Sequence, residues 1–197
     1  LDFNAGSLQI RPFTVNTSTL AITYGTLVSS PTAAGTAVGY RILNATTDQW
    51  VLTVNSTTNG GLYVYTFVTG SNSITLSSGV LLIGTTSTSS VITISDIAKI
   101  SATKFCLFSN DNASNIKANI FTLSGTTITG NISNSIYAIY NVTATTTGPM
   151  ITNVTGNVVT LYSSNSNSNT CLLTTIDCSG SAPVTLSSQF YNTGLTN

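Results

Sequence analysis

The chain has no histidine and no glutamate, and charged residues of every kind make up only 5% of its 197 positions. Ordinary globular proteins carry about 25%. The acids are Asp2, Asp48, Asp96, Asp111 and Asp177, and the bases are Arg11, Arg41, Lys99, Lys104 and Lys117. Five scattered bases cannot displace the counterions of a nucleic acid, so no nucleic-acid partner is expected. General acid–base catalysis draws mostly on His, Glu or paired Asp. Two of these are missing and the aspartates lie far apart in sequence, so the chain is not expected to be an enzyme. Metal sites with His are excluded, and no Cys pair has zinc spacing. Asp111, within Asn110-Asp111-Asn112, reads as an Asx-rich turn rather than a Ca²⁺ ligand. Neither a metal nor a cofactor is expected.

Long apolar runs are also missing. Stretches such as Val80-Leu81-Leu82-Ile83 fall far short of the ~20 residues of a membrane-spanning helix. No basic-plus-apolar leader is present, and a start at Leu1 fits a leader already removed and a secreted protein. The scarcity of carboxylates bears on pH as well. Acid unfolds proteins mainly by protonating carboxylates that are ionised in the native state. Five Asp and no His leave acid little to act on, and self-repulsion at low pH stays weak. The composition suits an acidic exterior.

What the chain has in excess is hydroxyl and amide: 37 Thr, 27 Ser and 20 Asn, together more than its 41% of hydrophobic residues. Apolar residues nonetheless recur in short β-branched and aromatic runs, which argues against disorder. Thirteen strand candidates run from Ala37–Leu43 to Val184–Phe190, divided by turn signals such as Asn59-Gly60-Gly61, Ser124-Gly125 and Thr155-Gly156-Asn157. No window has a convincing helical period. The expected class is all-β, a sandwich or barrel. A competing signal is a spacing of 54 residues: Phe13, Phe67 and Phe121 share it, as do Val54, Phe108 and Tyr162. Four strands per period would suit propeller blades.

The N-terminal stretch organises the rest. Leu20, Ile22 and Tyr24 alternate with Thr19, Ala21 and Thr23, the two-residue period of a half-buried strand. Leu8 and Ile10 alternate upstream, and Phe13 follows Pro12, which has no N–H to give a ladder. The run Ser29–Thr36 is small and flexible and reads as a hinge. The expected organisation is an extended arm over residues 1–28, a linker over 29–36 and a β-sandwich body over 37–197. Such an arm pairs either with its own body or with another's, and function turns on that choice.

Three cysteines, Cys106, Cys171 and Cys178, leave at least one thiol or an intermolecular bridge. If Cys171 to Cys178 is one extended strand, their Cα atoms are about 23 Å apart, beyond disulfide reach. A bridge from Cys106 to one of the two is then the more natural pairing, and a hidden hairpin would reverse this. Seven Asn-X-Ser/Thr sequons occur, at Asn16, Asn44, Asn55, Asn112, Asn131, Asn141 and Asn153. Covalent N-glycans are expected on several if the protein is extracellular, on Asn44 and Asn55 more surely than on Asn16.

An apolar N-terminal arm, a Ser/Thr/Asn-rich β body, minimal charge and many sequons together resemble the thread filament subunits of acid-loving archaea. The resemblance covers the full length and rests on organisation and composition. It implies an immunoglobulin-like head similar to bacterial type I pilins, in which the arm of one subunit supplies the missing strand of the next. Leu8, Ile10, Phe13, Leu20, Ile22 and Tyr24 would then be the donor-strand side chains. The partner would be identical subunits in a surface filament serving adhesion or biofilm formation. A viral exterior or lectin-like protein, with a propeller or jelly roll, is the alternative. It would show aromatics such as Trp50, Tyr63 or Tyr65 at a sugar-binding pocket.

Overall fold

The computed structural model describes residues 2–4, 7–33, 37–56, 62–70, 73–77, 80–83, 95–111, 115–130, 136–139, 150–165 and 170–192. Every regular element among them is a β-strand, and every strand pair is antiparallel. The all-β expectation holds. In the N-terminal part, β1 (Asp2–Asn4), β2 (Ser7–Ile10) and β5 (Val28–Ala33) make one small sheet, and β3 (Phe13–Val15) pairs with β4 (Ile22–Tyr24) in another. The first large sheet contains β6 (Ala37–Asn44), β7 (Gln49–Ser56), β8 (Leu62–Thr69) and β10 (Val80–Ile83), with β9 (Ile74–Leu76) also on β8. The middle sheet contains β11 (Ser95–Lys99), β12 (Lys104–Asp111), β13 (Asn115–Ser124) and β14 (Thr127–Gly130), with β15 (Ile136–Ile139) also on β13. The third sheet is β16 (Met150–Thr155), β17 (Val158–Asn165), β18 (Thr170–Asp177) and β19 (Val184–Asn192).

Two of the sequence's turn signals become two-residue hairpins. Gly125 follows Ser124, which pairs with Thr127, and Gly156 follows Thr155, which pairs with Val158. Both glycines have positive φ, +57° and +58°. A Cβ at either would meet nothing within 4 Å. The backbone conformation, and not lack of space, calls for Gly there.

The three large sheets stack face to face like successive sandwiches. Side-chain parity shows how. On β12, Phe105 and Leu107 pack with Val51, Leu62 and Val64 of the first sheet. Their alternates Cys106 and Phe108 pack with Val159, Leu161, Leu172 and Ile176 of the third. The middle sheet is therefore covered on both faces, which explains why Phe105 to Ser109 are buried without interruption. On β18, Leu172, Thr174 and Ile176 are buried and their alternates are only half-buried, since that sheet has a neighbour on one side alone. The first sheet's far face, with Leu52, Val54, Tyr63, Tyr65 and Phe67, receives Ile10 from the N-terminal part. Each large apolar side chain so buried is worth roughly 1.5–3 kcal/mol.

The sequence spacing reappears as a repeated unit of four or five strands of about this length. Polar ties between layers repeat with it. Gln49, the first residue of β7, donates from its side-chain amide to the Gly125 carbonyl, 76 residues on. Lys104, the first residue of β12, donates to the Gly180 carbonyl, also 76 residues on. Among the first strands, the Arg41 guanidinium on β6 lies 4.0 Å from the Asp96 carboxylate on β11. Asp96 in turn accepts the Ile151 N–H of β16 at 2.9 Å, a separation of 55 residues. Only part of the sequence signal is structural. Phe67 and Phe121 both face the preceding layer, whereas Val54 faces backward and Phe108 forward. A spacing that changes face is coincidence. No sheet closes into a barrel among the described residues.

The N-terminal organisation differs from expectation in two ways. Residues 29–33, expected as linker, continue from Val28 as β5, with Gln9 opposite Ser29 and Ile10 opposite Val28. Residues 34–36 lie outside the described set. The arm is not one extended strand either: β1 and β2 form one hairpin, β3 and β4 another. The backbone hydrogen bonds of Ser29 to Ala33 find partners on β2 more cheaply than they would stay solvated in a flexible tether, which is why small residues there do not make a hinge.

Candidate assembly surface

The β3–β4 hairpin is the part of the described chain that departs furthest from ordinary burial. Its turn is built by Asn16. The Asn16 side-chain oxygen accepts the N–H groups of Ser18 and Thr19 at 2.9 and 3.0 Å. The Asn16 carbonyl accepts Leu20 N–H at 2.7 Å, and Asn16 N–H donates to the Ala21 carbonyl at 2.9 Å. This is the local bonding that makes Asn a turn former. Closing the turn forces Leu20 to φ +59°, a left-handed conformation that a branched side chain rarely adopts.

That single residue leaves the strand for the turn. Phe13 stands opposite Tyr24 and Val15 opposite Ile22, so these four share one side of the hairpin, with Thr14 and Thr23 on the other. Leu20, Ile22 and Tyr24 were expected to alternate on one strand, but Leu20 sits in the turn. The hairpin's base is braced by Arg11, whose Nε donates to the Gly25 carbonyl at 3.0 Å while its guanidinium lies 5.0 Å from the Tyr24 ring centre. Gly25 N–H donates to the Pro12 carbonyl at 2.9 Å.

Phe13, Val15, Leu20, Ile22, Tyr24 and the following Leu27 are all between 45% and 76% exposed. An isolated two-stranded hairpin is marginal in water, and an exposed apolar face of this kind is a candidate interaction site. The other two expected donor residues lie elsewhere. Ile10 is buried against Leu52, Val54, Tyr63, Tyr65 and Phe67 of its own body. Leu8 is in register with Phe3 in the β1–β2 hairpin. The N-terminal segment is thus anchored in cis up to Ile10, and its unpartnered apolar surface begins at Phe13.

A second exposed apolar region lies at the opposite end of the layer order. Strand β19 pairs with β18 alone among the described residues, and Val184, Leu186 and Tyr191 on it are exposed. A nine-residue edge of this sort is open to pairing with another chain.

The expected glycan sites are placed unevenly. Asn16 is exposed at the hairpin turn. Asn44 is half-buried, and its side-chain nitrogen donates to the carbonyls of Thr46 and Gln49. Asn55 is on β7 and Asn153 on β16, beside a register shift. Asn112, Asn131 and Asn141 lie outside the described residues, as does the end of the Asn110-Asp111-Asn112 turn. Of the aromatics that a sugar-binding pocket would show, Tyr63 and Tyr65 are buried, and Trp50 is half-buried and stacks on Phe67 at 6.3 Å. A cleft of about 480 Å³ beside Ile120 and Thr129 does hold the Lys104 ammonium. That charge is committed to the carbonyls of Ser179 and Gly180 at 2.6 and 2.7 Å. No group of three or more His, Cys, Asp or Glu side chains gathers among the described residues, and none of the described segments is a helix long and apolar enough to cross a membrane.

The amphipathic hairpin was missed by sequence reading, although Asn16-Thr17-Ser18-Thr19, a run of turn-forming side chains, marked where the strand had to break. Comparison with protein-family models and with curated protein sequences finds no match to this chain.

Proposed function

We propose that this protein is a structural subunit of a glycosylated extracellular filament, joined head to tail through its N-terminal hairpin and serving adhesion or biofilm formation. The observation that carries the reading is the face formed by Phe13, Val15, Ile22 and Tyr24, which is apolar, exposed and held in register by its own turn. The open edge of β19, three layers away in packing order, supports it. A contact between two different surfaces at opposite ends of one molecule does not close on itself, so it propagates a fibre. Main-chain pairing along an edge supplies affinity, and alternate side chains supply register. The composition agrees with such a role: hydroxyl and amide side chains dominate, and the scarcity of titratable groups suits an acidic exterior. The resemblance to archaeal thread subunits points the same way. On this reading Ile10, buried against its own body, is no donor residue, and residues 13–27 engage an identical subunit.

Negative-stain microscopy of the full-length chain at acidic pH tests the reading. Fibres are expected. Ile22→Asp and Tyr24→Asp should abolish them, because each puts a charge where an apolar side chain is to be buried. Thr14→Asp and Thr23→Asp, on the other face, should leave them intact. Monodisperse full-length protein under all conditions, or equal sensitivity of both faces, would overturn the proposal.

A further inference from the structure

We propose that Cys106 and Cys178 form a disulfide that staples the middle sheet to the third, leaving Cys171 as the one free thiol. Cys106 lies on β12, and Cys178 immediately follows β18. Both are thiols in the structure, both are fully buried, both belong to the cluster that fills the space between these sheets, and each shifts the other's pKa.

Position in the repeat independently makes them facing partners. Moving back 55 residues, the separation of Asp96 and Ile151, takes Cys106 to Val51 and Cys178 to Leu123. Val51 and Leu123 are members of the one cluster that fills the space between the first and middle sheets. The two cysteines therefore occupy, one layer on, places that two members of a single apolar cluster occupy in the preceding interface.

Cys171 is excluded on two grounds. Strand β18 runs unbroken from Thr170 to Asp177, so Cys171 and Cys178 are the length of the strand apart. Residues 172, 174, 176 and 178 of this stretch are buried, and Cys171 is of the opposite parity, on the face turned away from Cys106. No hidden hairpin brings it round.

The chemistry is thiol–disulfide exchange with a small-molecule or protein disulfide as oxidant, during folding. The Cys178 thiolate attacks one sulfur of that disulfide, forming a mixed disulfide and expelling one thiolate. Cys106, as it loses its proton, then attacks Cys178 sulfur and expels the second. Two protein thiols are oxidised, one external disulfide is reduced to two thiols, and the two S–H protons pass to the leaving groups. Once the two thiols have come together in a folding chain still open to the oxidant, their environment favours Cys178 as first nucleophile. It accepts a hydrogen bond from Cys106 and feels the Lys104 charge, which lowers its pKa, while burial raises that of Cys106.

The inference does not depend on the filament reading. A protease that cuts before aspartate puts each cysteine on its own peptide: Cys106 on 96–110, Cys171 on 111–176 and Cys178 on 177–197. Full-length chain refolded with oxidised glutathione, then alkylated in denaturant without reductant, should give 96–110 linked to 177–197 and a single alkylated thiol on 111–176. Three alkylated cysteines, or a link that includes 111–176, would overturn the assignment. Reduction should also lower the melting temperature by roughly 10 °C, given the 72-residue loop the bond closes. An unchanged melting temperature would show that the bond is no staple.

Discussion

The carboxylate of Asp96 accepts the backbone N–H of Ile151 at 2.9 Å, joining the first strand of the middle sheet to the first strand of the third. Its other oxygen accepts the Ile97 N–H at 2.9 Å and lies 4.0 Å from Arg41 of the first sheet. One side chain thus touches three layers. Asp96→Ala is expected to cost about 2 kcal/mol, since it strands a backbone donor that had a charged acceptor. Arg41→Ala should cost less than about 0.5 kcal/mol, because that pair is long and half exposed. Urea titrations of the two variants measure both.

Acid should leave the fold largely intact. Asp96 keeps a carbonyl oxygen as acceptor even when protonated, and only four other side-chain carboxylates exist in the chain. Between pH 7 and pH 2 the melting temperature is expected to fall by less than about 20 °C. Circular dichroism at stepped pH reads this directly, and a larger fall would identify a carboxylate that holds the layers together.

Alkaline pH should separate the reduced protein from the oxidised one. Cys106 has its pKa raised above the ordinary 9.0 by burial, so its contribution to stability is full below that value and is lost as pH rises past it. Cys178 has its pKa lowered, so its contribution is full above 9.0 and is lost as pH falls through its folded value. The reduced protein's stability relative to the oxidised form should therefore peak near pH 9. Paired denaturation curves from pH 7 to pH 10.5 would show the peak, and parallel curves would contradict it.

Glycan occupancy should follow side-chain commitment. The Asn44 side-chain nitrogen is already donating to two carbonyls within its turn, whereas Asn16 is exposed and engages the turn through its oxygen. Glycopeptide mass spectrometry of protein from a glycosylating host should find Asn16 more fully modified than Asn44. This reverses the order that strand-end position alone suggested.

Leu20→Gly should stabilise the hairpin by about 1 kcal/mol, because glycine adopts the +59° backbone without the steric cost that leucine bears. Slower hydrogen exchange at Ala21 N–H, which has Thr19 Oγ1 as a neighbour at 3.4 Å, would report it.

Much of the architecture was legible because local chemistry and tertiary structure agreed. Ser124-Gly125 and Thr155-Gly156-Asn157 are turns for backbone reasons that act within four residues. The alternation along Cys171–Asp177 reflects one covered face, and the unbroken apolar stretch of β12 reflects two. What stayed hidden depended on residues far apart in the chain. Nothing near Val28–Ala33 announces that β2 will pair with it, and no local pattern places Cys178 beside Cys106. The exposed hairpin was obscured differently. Leu20, in an uncommon conformation, left the strand for the turn, while Ile22 and Tyr24 kept the shared face that the strand reading gave them.

The meander order of the three large sheets also bears on how fast the chain can reach its folded state. In each, most hydrogen-bonded neighbours are consecutive strands, as in β16-β17-β18-β19. Loop-closure entropy therefore stays small for most pairings, and the relative contact order falls below that of a Greek-key sandwich of equal length. Each sheet can assemble as it leaves the ribosome, using the previous sheet as its template. Folding then proceeds from the N-terminal layer outward, and the β19 edge is the last to form.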